Sequence, residues 1–223
     1  MLYIAPSLLA ADFSTLATEI KKVEAAGAQY LHLDIMDGAF VPNLSFGPEL
    51  ISSIRKCTNM IFDVHLMIKR PERYIDRFVK AGADIITVHY EACENPMSVI
   101  HLIHSYEMKA AIAISPKTPV EHLFPIIEHI DMALIMTVEP GFGGQSLIPE
   151  TLEKVSALRR YTNERGISLD IEVDGGINAD NIALLTSAGA NIIVAGSAIF
   201  RAKKPRAVIQ QMKETAAANP FRG

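Results

Sequence analysis

The chain has 223 residues, of which 49% are hydrophobic and 21% charged, so it can bury a core and is not a disordered polymer. Twenty-one Lys and Arg against 25 Asp and Glu give a net charge of −4, with no basic block; this excludes a nucleic-acid binder that works by neutralising phosphates. Cys57 and Cys93 are too few for a disulfide framework and lack zinc-finger spacing, so both are expected to be free, buried thiols. The stretch 1–11 is apolar, but it has no basic flank, contains Pro6 and runs straight into Asp12, which fits neither a signal peptide nor a membrane span. No later apolar run reaches the roughly 18 residues a span requires. A cytoplasmic protein without a membrane partner is expected.

Apolar runs that read as strands fall at 3–6, 30–35, 61–66, 85–89, 110–114, 133–138, 169–173 and 192–194. Amphipathic, helix-like stretches lie between them, such as 13–26, 71–81 and 149–165, with Ser14, Asn95 and Asp180 as candidate starts. Ala-Gly-Ala recurs at 26–28, 81–83 and 188–190, each time closing a helical pattern and opening an apolar run. The intervals between these motifs are about two and about four units of roughly 27 residues, the size of one βα module. Eight such modules, without a linker or a change of composition, predict one domain over residues 1–223 folded as a (β/α)8 TIM barrel. A doubly wound sheet is the competing architecture, but the first βα turn, from Ser7 to Asp12, has no glycine.

In such a barrel the chemistry sits at the C-terminal ends of the strands. There His32, Asp34 and Met36 are spaced two apart and share one face of their strand, as do His65 and Met67, and Glu172 and Asp174. If these faces point inward, His32, Asp34, His65 and Asp174 converge as a site for zinc or another first-row divalent ion. One such histidine is usually a core residue, but three patterned strand ends are hard to explain that way. His101, His104, His122 and His129 lie at helical spacing and are expected in solvent, whereas His89, followed by Glu91, is a candidate partner for a ligand.

Glycines gather after the last three strands, at Gly141, Gly143 and Gly144, at Gly175 and Gly176, and at Gly196 before Ser197. They let backbone N–H groups approach an anion, and barrels often bind phosphate after strands seven and eight. No Lys or Arg adjoins these strand ends, so an anchor made mainly of backbone amides is expected. Met36, Met67 and Met136 read by themselves as core filling. A divalent metal, two carboxylates and a phosphate anchor together suggest proton transfer on a phosphorylated sugar, with Asp34 and Asp174 as base and acid on opposite faces.

The motifs APS (5–7), HLDIMDGAFVPN (32–43), DVHLM (63–67), MTVEPGFGGQ (136–145), EVDGG (172–176) and AGSAIF (195–200) closely resemble the ribulose-phosphate 3-epimerase family along nearly the whole chain. The resemblance implies a TIM barrel of the ribulose-phosphate-binding type that interconverts D-ribulose 5-phosphate and D-xylulose 5-phosphate. It implies one divalent metal per subunit (Zn, Fe(II), Mn or Co) on His32, Asp34, His65 and Asp174, with Asp34 and Asp174 as the acid/base pair. Substrate contacts would come from Ser7, His65, Gly141, Phe142, Gly143, Gly144, Asp174, Gly175, Gly176, Gly196 and Ser197. The same resemblance puts Met36, Met67 and Met136 beside the reacting carbons, overruling their reading as filler. Glu139 stands where many members have Asn, and Ser115-Pro116 where Asn-Pro is common.

The partner is expected to be a small sugar phosphate, and the chain is expected to form a homo-oligomer. Rival readings are an epimerase of D-allulose 6-phosphate, a Schiff-base aldolase and a non-catalytic sugar-phosphate sensor. The paired glycines favour the pentulose, and Lys69 and Lys117, placed in loops, disfavour the aldolase. Eight modules leave no room for a lid domain, so shielding of the site falls to the βα loops, above all residues 139–148.

Overall fold

A computed structural model describes residues 2–221 of the chain. Its eight strands are β1 (Tyr3–Pro6), β2 (Tyr30–Met36), β3 (Ile61–Met67), β4 (Ile85–His89), β5 (Lys109–Ile114), β6 (Met132–Met136), β7 (Asp170–Asp174) and β8 (Ile192–Ala195). All pair in parallel with their sequence neighbours, β8 pairs β1, and a bridge between Ser7 and His32 joins β1 to β2. The sheet thus closes into a (β/α)8 barrel.

The connecting helices are α1 (Leu16–Ala25), α2 (Pro48–Arg55), α3 (Ile75–Ala81), α4 (Pro96–Ser105), α5 (Thr151–Arg165), α6 (Ile182–Ala188), α7 (Ser197–Phe200) and α8 (Pro205–Ala218). The fifth connection, Val120–His129, is 3-10 helix with Pro125 inside it, since proline removes a donor that an α-helix needs. Gly82 and Gly189 end α3 and α6 in the left-handed conformation, as the Ala-Gly-Ala rhythm predicts.

Two expected helix starts differ from the structure. The first turn is capped by Asp12, whose carboxylate accepts from the Ser14 N–H at 2.9 Å, so Ser14 lies inside the turn and α1 proper begins at Leu16. Before α6 it is the Asn178 side chain, not Asp180, that accepts from the backbone, taking the N–H groups of Asp180 and Asn181. Asn95 does cap α4, accepting from Ser98 N–H. Both cysteines are free, but half-buried rather than buried.

Strand alternation divides the interior in two. Leu33, Ile86, Ile112, Ile135, Ile171 and Ile193 face outward into a continuous apolar layer beneath the helices, all fully buried. The inward face starts apolar, with Ala5, Tyr30, Ile85, Ala111, Met132, Ile192 and Val194 as one cluster plugging the lower barrel. Above that plug the lining changes character: His32, Asp63, Thr87 and Glu172 are polar and 0% exposed. No helix among the described residues is long and apolar enough to cross a membrane.

The outer layer supplies the stability that lets the inner one be polar. Ile86→Ala removes buried methylenes from that layer and should lower unfolding free energy by about 2–5 kcal/mol. Leu44→Ala, at a residue 72% exposed, should change it by less than about 0.5 kcal/mol. Denaturant midpoints of the two variants check the contrast.

Candidate active site

The register of β2 against β3 sets His32 opposite Asp63 and Asp34 opposite His65, so alternating acids and imidazoles meet across adjacent strands. His32 Nδ1–H donates to Asp63 Oδ2 at 2.6 Å, and Asp63 Oδ1 accepts from the Thr87 hydroxyl at 2.9 Å. On the other ring, His65 Nε2 lies 2.9 Å from His89 Nε2, and His89 Nδ1 lies 3.2 Å from Glu91 Oε2. A carboxylate can only accept here, so His89 Nδ1 carries the proton, its Nε2 accepts, and His65 Nε2–H donates. Both outer nitrogens are thereby committed as donors, and the inner ones, His32 Nε2 and His65 Nδ1, face one another 3.3 Å apart, at positions where a proton or a metal cation can sit but not both.

Two carboxylates close on the same point. Asp34 Oδ1 is 3.3 Å from His32 Nε2 and 3.3 Å from His65 Nδ1, and Asp174 Oδ2 is 3.8 Å from His32 Nε2. One donor atom from each of the four residues lies within 4.8 Å of every other. Ring nitrogens and anionic oxygens converging in a buried space repel unless a proton or a metal cation lies between them, and an N2O2 set suits a first-row divalent ion. These four side chains fit such an ion.

The electrostatics follow from burial and crowding. Burial would depress the His32 pKa, but the Asp34 and Asp63 carboxylates outweigh it and hold the ring well above its usual value. Burial likewise works against Asp34, yet His32 and His65 keep its pKa far below the normal range. Asp174 is pushed up to about 7, first by burial and then by the nearby Asp34 charge. Burial lowers His89 to about 4, so the ring that bridges His65 and Glu91 is neutral at pH 7. Glu172 has no hydrogen-bond partner among the described residues, and burial and the Asp63 charge push its pKa well above the usual carboxylate range.

Above this layer a cavity of about 820 Å³ opens at the C-terminal ends of the strands. Ser7, Asp34, Met36, Met67, Met136, Gly141, Phe142, Gly143, Gly144, Asp174, Gly175, Gly176, Gly196 and Ser197 all line it. His32 and His65 do not; they are fully buried below its floor, reaching only the Asp34–Asp174 side. Ser7 Oγ donates to Asp34 Oδ2 at 2.7 Å, which fixes the carboxylate's outer oxygen at the cavity. The three thioethers are both core and wall, each at most 5% exposed yet part of the lining. His101, His104, His122 and His129 are exposed, as their spacing suggests.

Gly176 shows how the loops are held. Its φ is +68°, and a Cβ there would lie 2.4 Å from the backbone nitrogen of Leu147 and 2.7 Å from the Gln145 carbonyl. The loop after β7 therefore packs backbone to backbone on the loop after β6. On its other side that loop accepts from Asn43 Nδ2 at the Gly141 carbonyl, 2.9 Å away.

Asp63 and Thr87 complete the site with no role expected of either; Asp63 lies in the DVHLM motif two before His65 on the same strand face, and that spacing could have found it. Arg201 runs against the expectation of no cation beside the glycine loops: it lies just beyond α7 and lines the cavity. The short turn of α7 brings it back toward the mouth, which the linear sequence does not show.

Closed parallel barrel and polar mouth together place the chain among the (β/α)8-barrel proteins with a site at the strand C-termini. The model of the ribulose-phosphate 3 epimerase family matches residues 3–200, and the chain belongs to that family. It is 45% identical over 214 residues to the ribulose-phosphate 3-epimerase of Bacillus subtilis, covering 96% of this chain and 99% of that one. It is 50% identical over 201 residues to the ribulose-phosphate 3-epimerase of Synechocystis sp., covering 89% and 87%. Among solved structures the fold is similar to KGPDC from Streptococcus mutans, with a TM-score of 0.71 at 15% identity, covering 98% of this chain and 99% of that one. The protein is an enzyme, an isomerase acting on carbohydrates.

Asp63→Asn replaces the acceptor that holds the His32 proton on Nδ1 with an amide that can turn a donor toward it. Affinity for a divalent ion should then fall on the order of 10- to 100-fold, read by competition with a chromophoric chelator. Unchanged affinity would show that the ring needs no such partner.

Proposed function

We propose that the protein inverts C3 of D-ribulose 5-phosphate to give D-xylulose 5-phosphate by removing and returning the C3 proton. The observation that carries this reading is the pair of carboxylates, Asp34 from β2 and Asp174 from β7, both lining one cavity and both within 4 Å of His32 Nε2. Inversion through a planar intermediate needs a base on one face of the carbon and an acid on the other, and two carboxylates from well-separated strands meet that demand. Asp34 takes the proton from one substrate and Asp174 delivers one to the opposite face; in the reverse direction the roles exchange.

His32, Asp34, His65 and Asp174 would hold one divalent ion, with zinc, iron(II), manganese and cobalt all compatible with the donors. When bound, it would supply positive charge against the negative charge that develops as the C3 proton leaves. Ser7 orients Asp34 through its hydroxyl. Met36, Met67 and Met136 make a wall that is dry and polarisable without competing for protons. The backbone of Gly143, Gly144, Gly175, Gly176, Gly196 and Ser197 would receive the phosphate, and Gly141 and Phe142 would cover the substrate. Phe142 is 53% exposed on the loop after β6, the segment placed to shield the reaction.

No lysine is among the described residues that line the cavity, which argues against a Schiff-base aldolase. Gly144, Gly175 and Gly176 all have positive φ and so require glycine for backbone reasons alone, and the choice of pentulose over hexulose rests on Gly143, where a Cβ would meet nothing within 4 Å. We further infer a cytoplasmic homo-oligomer acting on a small sugar phosphate.

Incubation with D-ribulose 5-phosphate in D₂O, with metal supplied, should place one solvent deuterium at C3 of both epimers. Asp34→Asn and Asp174→Asn should each lower turnover by at least about 10³-fold, since each removes an obligatory proton carrier. Epimerisation without deuterium at C3 would overturn the mechanism.

A further inference from the structure

The described residues lining the cavity include three acids, Asp34, Glu139 and Asp174, and a single base, Arg201. Glu139 is paired with Lys117 at 3.0 Å, out in solvent, so its charge is partly met there. A phosphate monoester arrives nearly dianionic at pH 7 and meets walls that are otherwise acidic or neutral. Backbone amides offer it direction but only partial charge.

Arg201 is placed to supply the missing charge. Its N–H donates to the Ser197 carbonyl at 3.1 Å, so it sits one helical turn beyond Ser197 and its side chain shares that residue's face. Long side chains on a helical turn lean toward its N-terminal end, here toward Ser197 and Gly196. Two other arginines of the fold serve as structural clamps. Arg55 holds Asp84 and the carbonyls of Thr58 and Met60, and Arg159 holds Asn191 and the carbonyls of Gly189 and Leu169. Arg201 has no such duty among the described residues: it is exposed, and its guanidinium makes no hydrogen bond or ion pair.

We propose that Arg201 is the cationic clamp on the substrate's phosphate and the residue that sets preference for phosphorylated over free sugar. This rests on the sugar-phosphate reading of the cavity, and its chemistry is that of a planar, permanently charged fork meeting a tetrahedral oxyanion. It adds a side-chain charge to an anchor otherwise built from backbone, and it acts on binding rather than on proton transfer.

The test uses the full-length, metal-loaded protein with Arg201→Gln and Arg201→Lys. The glutamine variant should raise KM for D-ribulose 5-phosphate about 10- to 100-fold and leave kcat within about 3-fold. The lysine variant should fall between it and the parent, because it keeps the charge and loses the fork. Calorimetric titration with inorganic phosphate should show the same order of weakening, and this arm does not depend on turnover. Thus a parent protein that binds phosphate but does not epimerise the pentulose refutes the assigned reaction, not the clamp. Unchanged KM and unchanged phosphate affinity in Arg201→Gln, or a loss confined to kcat, overturns the clamp.

Discussion

Two imidazole nitrogens, His32 Nε2 and His65 Nδ1, held 3.3 Å apart in the fully buried upper layer of the barrel, are the constraint on which the rest of the structure turns. Neither ring can relax by rotating, because each spends its other nitrogen on a fixed partner. His32 is committed to Asp63, which is itself held by Thr87, and His65 is committed to His89 and through it to Glu91. Glu91 in turn accepts from the Ser115 N–H and the Thr118 hydroxyl, so one end of this chain is tied to the loop after β5. Lys154 of α5 binds that loop from outside through the carbonyls of Ser115, Pro116 and Thr118. The geometry of the four candidate ligands is thus determined by groups well away from them.

Such an interior is costly, and the fold offsets it elsewhere. Polar groups buried at the strand C-termini stand on an apolar plug and inside an apolar sleeve of strand and helix side chains. Burial and the Asp63 charge push the Glu172 pKa well up, which disfavours a further charge beside Asp63. The same strand alternation that hides Leu33 and Ile171 in the sleeve presents Asp34 and Asp174 to the cavity, so stability and chemistry come from opposite faces of the same strands. Glycines then let the loops after β6 and β7 pack on one another without side chains between them.

The eight strands and the convergence of His32, Asp34, His65 and Asp174 are legible because both follow from one period: apolar runs fix the strands, and a spacing of two fixes which residues share a face. Asp63 obeys the same period, two residues before His65 in the DVHLM motif, but nothing local names His32 of the neighbouring strand as its partner. His89 and Glu91 are legible from their adjacency at the end of β4, whereas Thr87 is different, because its role depends on Asp63 of another strand, a partner that no local pattern names. Arg201 depends on the four-residue helix α7 turning back over the mouth. The 3-10 form of the fifth connection depends on where Pro125 falls relative to its hydrogen-bond partners, and the capping by Asp12 and Asn178 on turns too short to show a period. What escapes the sequence is set by tertiary pairing or by single turns.

The central claim is that the buried partners fix which nitrogen each ring presents. A crystal structure of the protein loaded with zinc or cobalt, with the ion located by its anomalous scattering, tests it directly. The account predicts one ion bound by His32 Nε2, His65 Nδ1, Asp34 and Asp174, with the hydrogen bonds from His32 to Asp63 and from His65 to His89 intact. An ion held through His65 Nε2, or bound away from these four residues, would contradict it.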